Sequence, residues 1–196
     1  QAAGDAAVEG AAKAAAAAGS DARMGGSELP VVINSWSGNQ GMAVSLPVIE
    51  YARELGVSRE TLYRALLMSN LLAIYQKAGI GKLSAYCGAV SAACGSGAAI
   101  TWMSGGNFQQ IADTITNTLA NVSGMVCDGA KGSCAAKIAT SVDAAIMAHD
   151  LAMQSKAFQP GDGIVKPTVE ETIRGVGRMA RDGMRQTDIE VLHIMI

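Results

Sequence analysis

The chain has 196 residues, of which 49% are hydrophobic, and this is enough for one or two compact domains with a buried core. Its formal net charge of -2 argues against nucleic acid or an anionic membrane surface as a partner, because both attract proteins with a large excess of Lys and Arg. Aromatic residues make up only 4%, whereas Ala, Gly and Met are abundant, which favours closely packed helices over strands. We therefore predict an all-α fold, a compact helical domain with a central helix of small residues and Gly-rich active-site loops.

The first segment of the chain, residues 1–20, is rich in Ala and ends in Gly19-Ser20. It opens at Gln1 without a start Met, a signal peptide or a basic targeting arm. Its residues favour a helix but offer little apolar bulk to anchor one. We expect a helix or linker that leads from a preceding N-terminal domain, with residues 21–196 forming the main all-α unit.

The next segment, MGGSELPVVINSWSGNQG at 24–41, concentrates Gly, Ser, Asn and Pro. These residues release the backbone from helical geometry and expose its amides. The segment predicts either a loop built for a ligand or a plain Gly-rich connection.

Apolar residues at helical spacing predict that most of the remaining chain is helical. The first of these helices is predicted to be irregular at Pro47 and to stop at Gly56, and Ser58 is predicted as the N-cap of the following helix. Thr168 is predicted as the N-cap of a helix in the tail. The predicted helices span 42–55, 59–79, 83–103, 108–122 and 135–153, with the tail helix after them.

An uncharged run at 83–111 is longer than the roughly 20 residues that cross a bilayer. However, Ala, Gly, Ser and Cys dominate this run, and Gly105-Gly106-Asn107 interrupts it. We therefore predict a buried helix at this position rather than a membrane span.

The four cysteines form two pairs, each with a spacing of seven residues. Cys87 and Cys94 in one helix would lie about 10 Å apart, too far for a disulfide or a shared metal ion. Between Cys127 and Cys134, two glycines favour a turn that brings the thiols together at the start of the next helix, where thiolates are stabilised. Three thiolates with one open metal position suit a [4Fe–4S] cluster, but the residues alone leave inert core thiols and disulfides open.

Four ordered motifs extend this reading: DARMGG (21–26), SGNQG (37–41), LSAYC (83–87) and GMVCDGAKGSC (124–134). Together they resemble the bacterial and archaeal L-cysteine desulfidases, relatives of the iron–sulfur L-serine dehydratase α-chain. The resemblance runs from about residue 20 to the C-terminus and covers the C-terminal part of the family's usual length. It therefore implies that a preceding domain belongs to the same protein.

The resemblance also implies a site. It implies that Cys87, Cys127 and Cys134 hold a [4Fe–4S] cluster, and it gives Cys94 no ligand role. It implies that residues 21–196 are a cluster-binding lyase domain, of cytoplasmic location, that converts L-cysteine to pyruvate, ammonia and sulfide with the cluster as Lewis acid. The matching Gly-rich substrate loop comprises Ser37, Gly38, Asn39, Gln40 and Gly41, and its amides and amide side chains suit the substrate carboxylate, with Arg23 as a bidentate candidate.

The general base is less clear from the residues. His149 lies in an apolar helical pattern and His193 lies near the tail, so both are predicted to be structural. Lys131 and Asp128 are closer to the cluster cysteines in sequence and are the catalytic candidates, although a role in a solvated surface turn is equally consistent with them. The base can also belong to the preceding domain, in which case this chain alone should be inactive or very weak.

Two other functions stay open at this point. The first is an L-serine dehydratase with the same mechanism. The second is a non-catalytic helical assembly domain that packs RMARDGM (178–184), with Met179 and Met184, on a partner. The expected partners are a small amino acid, the preceding domain and a second copy of the chain, with neither nucleic acid nor membrane.

Overall fold

The computed structural model describes the backbone of residues 2–196 and the side chains of residues 6–196. Gln1, the first residue of the predicted N-terminal segment, lies outside the described residues. The described chain contains helices and two isolated β-bridges but no strand, which confirms the all-α prediction. The α-helices are α1 (Ala2–Met24), α2 (Gly38–Glu54), α3 (Arg59–Ile80), α4 (Gly88–Met103), α5 (Phe108–Val122), α6 (Cys134–Met153), α7 (Val169–Arg178) and α8 (Arg185–Met195).

Several helix starts follow from capping residues that the sequence displays. The Ser58 hydroxyl accepts a hydrogen bond from the Thr61 amide at 3.1 Å, and Thr168 forms a capping box with Glu171. A π-helical turn at Met179–Gly183, which the sequence pattern does not predict, joins α7 to α8.

Helix α1 is longer than the sequence predicted, because it continues through Gly19-Ser20 to Met24. Its apolar residues Val8, Ala12 and Ala16 are buried in the core, so α1 packs against the other helices. A side chain at position 19 would lie 2.7 Å from the Met42 sulfur, so Gly19 permits a close approach to α2 instead of ending the helix. The predicted domain boundary after residue 20 stays a prediction.

The small-residue helix α4 is the centre of the fold, as predicted. Every residue from Gly88 to Thr101 is buried, and the helix contacts α2, α3, α5 and α6. Glycines allow this packing: a Cβ at Gly95 would lie 2.5 Å from the Ser69 carbonyl oxygen of α3. None of the described helices is both long enough and apolar enough to cross a bilayer.

The start of α4 corrects the sequence prediction, which began this helix at residue 83. Residues 83–87 instead form a non-helical segment with bends at positions 83 and 85, in which Tyr86 pairs with Val126 in an antiparallel bridge. The Ser84 hydroxyl accepts a hydrogen bond from the Tyr86 amide and donates one to the Ala180 carbonyl. These two hydrogen bonds stabilise the non-helical backbone. Cys87 is therefore the N-cap residue of α4 rather than a residue of its interior.

The SGNQG motif is also placed differently, because it begins helix α2 instead of belonging to the loop. Ser37 has extended backbone geometry, and its hydroxyl accepts a hydrogen bond from the Gln40 amide at 3.3 Å. This cap allows two glycines to enter the first helical turn, so the motif presents its residues from a helix N-terminus.

The core consists of two main apolar clusters. The first contains Val44, Cys87 and Ile138, and the second contains Tyr86, Cys94 and Leu119. Met179 and Met184, which the sequence suggested as a partner-binding surface, are half-buried and pack against the second cluster. Their thioethers therefore stabilise the fold itself.

Candidate metal centre

The first turns of α2, α4 and α6 converge on one pocket of about 130 Å³. Helix N-termini carry partial positive charge and unpaired amides, so this pocket favours an anionic occupant. The loop that precedes α6 completes its wall. The lining residues are Ser37, Asn39, Gln40, Cys87, Gly88, Ala89, Cys127, Gly129, Ala130, Cys134, Lys137 and Ile138.

Cys87 and Cys127 are held together by their backbones. The Cys87 amide donates to the Met125 carbonyl at 3.0 Å, and the Cys127 amide donates to the Ala85 carbonyl at 2.6 Å. The Cys87 thiol donates a hydrogen bond to the Cys127 sulfur. These contacts bring together two cysteines that are forty positions apart in the sequence.

Cys134 reaches the same pocket from the first position of α6. Its sulfur lies 3.5 Å from both the Lys131 amide nitrogen and the Gly129 carbonyl oxygen. Gly129 has a φ of +87°, which glycine adopts readily, and this residue turns the chain between the two cysteines. The turn predicted from the glycines of this segment is therefore present.

The surroundings of Cys127 favour its thiolate. The hydrogen bond from the Cys87 thiol, the Gly129 amide and the charges of Lys137 and Lys77 lower the pKa of Cys127 to about 6. The same shared hydrogen bond, together with burial, raises the pKa of Cys87. The shared hydrogen bond thus favours the thiolate form at Cys127 and the thiol form at Cys87.

Cys94 lies in the second core cluster, apart from the residues that line the pocket. It is fully buried, and its thiol contacts the Ile115 carbonyl oxygen at 3.9 Å. Burial raises the pKa of Cys94 to about 12. These features are those of a packing residue.

Two lysines near the thiols were missed by sequence reasoning. Lys137 lines the pocket, and its ammonium pairs with the Asp128 carboxylate. Its position three residues after Cys134 in one helix was the available signal, because residues with that spacing share a helix face. Lys77 of α3 is only 6% exposed and interacts electrostatically with Cys127 and Cys87, but its position within an amphipathic helix gave no such signal.

Neither catalytic candidate from the sequence is among the residues that line the pocket in the described chain. The Asp128 carboxylate pairs with Lys137, and this contact lowers the pKa of Asp128. The Lys131 side chain is exposed, while its backbone amide points to the Cys134 sulfur. Asp128 thus orients a pocket residue, and the proton-transfer roles of Asp128 and Lys131 stay predictions.

The predicted substrate-binding residues divide into two groups. Ser37, Asn39 and Gln40 line the pocket, whereas Gly38 and Gly41 support it by close packing. A Cβ at Gly41 would lie 1.8 Å from the Val32 carbonyl oxygen, and one at Gly38 would lie 2.7 Å from Nε of Arg23.

Arg23 contacts the first turn of α2 through Asn39. Its guanidinium Nη1 donates to Oδ1 of Asn39 at 3.1 Å. Arg23 is not itself among the residues that line the pocket in the described chain, so it fixes the orientation of the Asn39 amide. Its predicted bidentate contact with the substrate stays a prediction.

The two histidines lie in different surroundings. His149 is buried beside Tyr51, and its Nδ1 lies 3.0 Å from the Thr101 hydroxyl oxygen. Burial lowers the pKa of His149 to about 4. His193 lies on α8, with its Nδ1 3.9 Å from a carboxylate oxygen of Glu190.

The donor set can be compared with the predicted cluster. Within the described residues, no three His, Cys, Asp or Glu side chains are close enough to share a single metal ion. A [4Fe–4S] cluster does not require this arrangement, because each cysteine binds a different iron. Three thiols in one pocket, at helix N-termini and beside lysines, fit an anionic cluster of this kind.

The fold and pocket together define an all-α protein with a thiol-lined pocket. The family model described as serine dehydratase alpha chain matches residues 2–193, and the chain belongs to this family. The resemblance that the four sequence motifs indicated is thereby confirmed at the level of the family.

The chain is also similar to several curated proteins that are named UPF0597 protein. It is 64% identical to one from Lachnoclostridium phytofermentans over 94% of this chain and 44% of the relative. It is 58% identical to one from Treponema denticola (92% and 42%), and 50% identical to one from Aeromonas salmonicida (91% and 41%). The chain thus spans less than half the length of these relatives. No solved structure matches it.

Proposed function

We propose that this chain is the cluster-binding part of a lyase that converts L-cysteine to pyruvate, ammonia and sulfide. In this proposal, Cys87, Cys127 and Cys134 hold a [4Fe–4S] cluster. The observation that carries it is the presence of all three thiols in one pocket formed by three helix N-termini. Membership of the serine dehydratase alpha chain family supports the reaction class.

The reaction is a β-elimination followed by hydrolysis. The Cα proton and the Cβ–S bond electrons leave the substrate, a C=C bond forms, and sulfide departs. Water then hydrolyses the aminoacrylate to pyruvate and ammonia. A bound cluster supplies Lewis acidity toward the leaving sulfur.

The residues of the pocket have separate tasks in this reaction. The first-turn amides of α2 and the Asn39 side chain bind the substrate carboxylate, and Arg23 holds the Asn39 amide in place. The Lys137 ammonium, oriented by Asp128, offsets the negative charge of the thiolates. Apolar Ile138 and Ala89 limit the water that enters the pocket.

The cluster part of the proposal can be tested by anaerobic reconstitution of the chain with iron and sulfide. We expect a brown protein with the broad visible absorption of thiolate–iron charge transfer, and its loss in Cys127→Ala. Cys94→Ala is the matched control and should retain the colour, because its thiol lies in the second core cluster. A wild-type chain that stays colourless would contradict the proposal.

We further propose that the catalytic unit includes a second domain of the same polypeptide, because the relatives are more than twice as long as the matched region. Helix α3 exposes an apolar stripe of Tyr63, Leu67, Leu71 and Ile74, each about half exposed. Trp36 and Ile33 continue the stripe around a cavity of about 560 Å³ beside Ile74. The second domain covers this stripe and contributes the missing base.

The stripe can be tested with Leu67→Glu. In the 196-residue chain this surface change should alter the unfolding free energy by less than about 0.5 kcal/mol. In a protein with the full length of the relatives, the same change should lower the melting temperature by several degrees. The alternative occupant of the stripe is a second copy of the chain, and light scattering tests for it. If the isolated chain dimerises and Leu67→Glu makes it monomeric, the stripe is an interface between copies.

Serine is the second candidate substrate, because the family is described as serine dehydratase and the elimination differs only in its leaving group. Turnover of L-cysteine and L-serine, measured side by side with the full-length protein, decides between them. A higher kcat/KM for L-serine would show that serine is the preferred substrate, and the proposal of a cluster would be unchanged.

A further inference from the structure

One pocket residue, Gln40, contains a buried polar atom that the fold does not satisfy. The Gln40 side chain is only 9% exposed, and its Oε1 has no hydrogen-bond partner in the described part of the chain. Buried polar atoms without partners are unfavourable, and those that occur in binding sites can be satisfied by a ligand. Gln40 also lines the thiol pocket, so a ligand bound there can supply the partner that this oxygen lacks.

Glycines on two helices fix the Gln40 amide in this position. A Cβ at Gly88, the first residue of α4, would lie 2.4 Å from Nε2 of Gln40 and 2.8 Å from its Oε1. The amide therefore lies directly against the α4 backbone, where a larger residue would displace it. Gly41 fits closely under the Val32 carbonyl and holds the backbone that carries Gln40.

The chemistry of the other pocket groups identifies the missing partner. The helix N-termini present backbone donors, and Lys137 presents an ammonium, so both favour negatively charged groups. An amide oxygen only accepts hydrogen bonds. An α-amino acid carries a carboxylate for the donors and an ammonium, which needs an acceptor.

We propose that Oε1 of Gln40 accepts a hydrogen bond from the α-ammonium of the substrate and so restricts the pocket to α-amino acids. This role differs from the carboxylate contact that the sequence suggested for Gln40. It rests on the proposed function for the identity of the pocket as the substrate site. The recognition step itself involves no bond breaking.

The experiment measures binding rather than turnover, using the reconstituted chain and two small ligands without a leaving group. L-Alanine carries the ammonium, whereas propionate has the same carbon chain and carboxylate without it. NMR titration should show that the wild type prefers L-alanine. In Gln40→Met, which retains the side-chain length but lacks the acceptor, L-alanine should bind at least about tenfold more weakly while propionate is unchanged.

Two further variants separate recognition from folding. Gln40→Glu retains an acceptor and adds a negative charge, so it should bind L-alanine at least as well as the wild type and propionate more weakly. Gly88→Ala should displace the amide and reproduce the loss seen in Gln40→Met. Melting temperatures show whether each variant remains folded at the temperature of the titration.

Three outcomes would overturn the inference. Equal losses of affinity for both ligands in Gln40→Met would mean that Gln40 shapes the pocket without recognising the ammonium. Unchanged binding would mean that a buried water satisfies the oxygen, and a wild type that prefers propionate or binds neither ligand would exclude an α-ammonium subsite. If Gln40-dependent binding of L-alanine occurs in a chain that assembles no cluster, the proposed function fails and the inference stands.

Discussion

The backbones of Tyr86 and Val126 pair in a single antiparallel bridge. Cys87 follows Tyr86, Cys127 follows Val126, and side chains alternate in direction along extended backbone. The tyrosine ring therefore enters the second core cluster, while the Cys87 thiol turns toward the first cluster and the pocket. One bridge thus fixes two of the three pocket thiols relative to each other.

The environments of the thiols predict their reactivity in the metal-free chain. Thiolates are the reactive form, and the pKa of Cys127 is about 6, whereas that of buried Cys94 is about 12. At pH 7, iodoacetamide should therefore label Cys127 more than about a hundredfold faster than Cys94. Peptide mass spectrometry over a time course measures both rates, and similar rates would contradict the assigned environments.

Lys137 should contribute to the low pKa of Cys127, because its ammonium lines the same pocket and favours the thiolate. Lys137→Met should raise the pKa of Cys127, which moves the pH dependence of its labelling to higher pH. Lys131→Met is the matched control, since it removes the same charge from an exposed side chain. Equal shifts in the two variants would show that net charge, and not the position of Lys137, sets the pKa.

Much of the fold was predictable because local signals agree with it. The helix at Phe108–Val122 matches its predicted span, and Ser58 and Thr168 cap helices as predicted. The predicted start of α4 was wrong because the pairing of Tyr86 with Val126 holds residues 83–87 out of helical geometry, and local propensity does not contain this contact.

The site was partly predictable for the same reason. The Cys127–Cys134 turn depends on glycines within one segment, so the sequence displays it. The approach of Cys87 depends on a bridge between distant segments, and only the family resemblance selected it over Cys94. Lys77 reaches the thiols through the packing of α3 on α4, which no pattern within α3 encodes.

The buried His149 predicts a pH dependence of stability. Burial lowers its pKa from 6.5 to about 4, so the unfolded state binds a proton that the folded state does not bind between these values. The stabilisation is complete above pH 6.5 and is lost as the pH falls to 4, by up to about 3 kcal/mol. Urea unfolding of the wild type and His149→Gln measures this contribution, which should disappear in the variant. His193→Gln, on exposed α8, should keep the wild-type dependence.

Two glycine-to-alanine substitutions, one where α3 packs closely on α4 and one at an open position, are predicted to change the unfolding free energy in opposite directions. A Cβ at Gly95 would lie 2.5 Å from the Ser69 carbonyl oxygen, and the Ser69 hydroxyl also donates to the Val44 carbonyl at 2.7 Å. Gly95→Ala must therefore separate helices that meet at one point of the core. Overpacking of this kind costs about 1–3 kcal/mol, which exceeds the roughly 1 kcal/mol that alanine gains in helix propensity.

Gly175 in α7 provides the matched control, because a Cβ there meets no atom within 4 Å in the described chain. Gly175→Ala should raise the unfolding free energy by about 0.4–1 kcal/mol, since alanine reduces the freedom of the unfolded chain without a collision. Urea unfolding of both variants in the metal-free chain gives the comparison. If Gly95→Ala were as stable as Gly175→Ala, helix propensity would outweigh packing at this position, and α3 and α4 would have to lie farther apart than the structure places them.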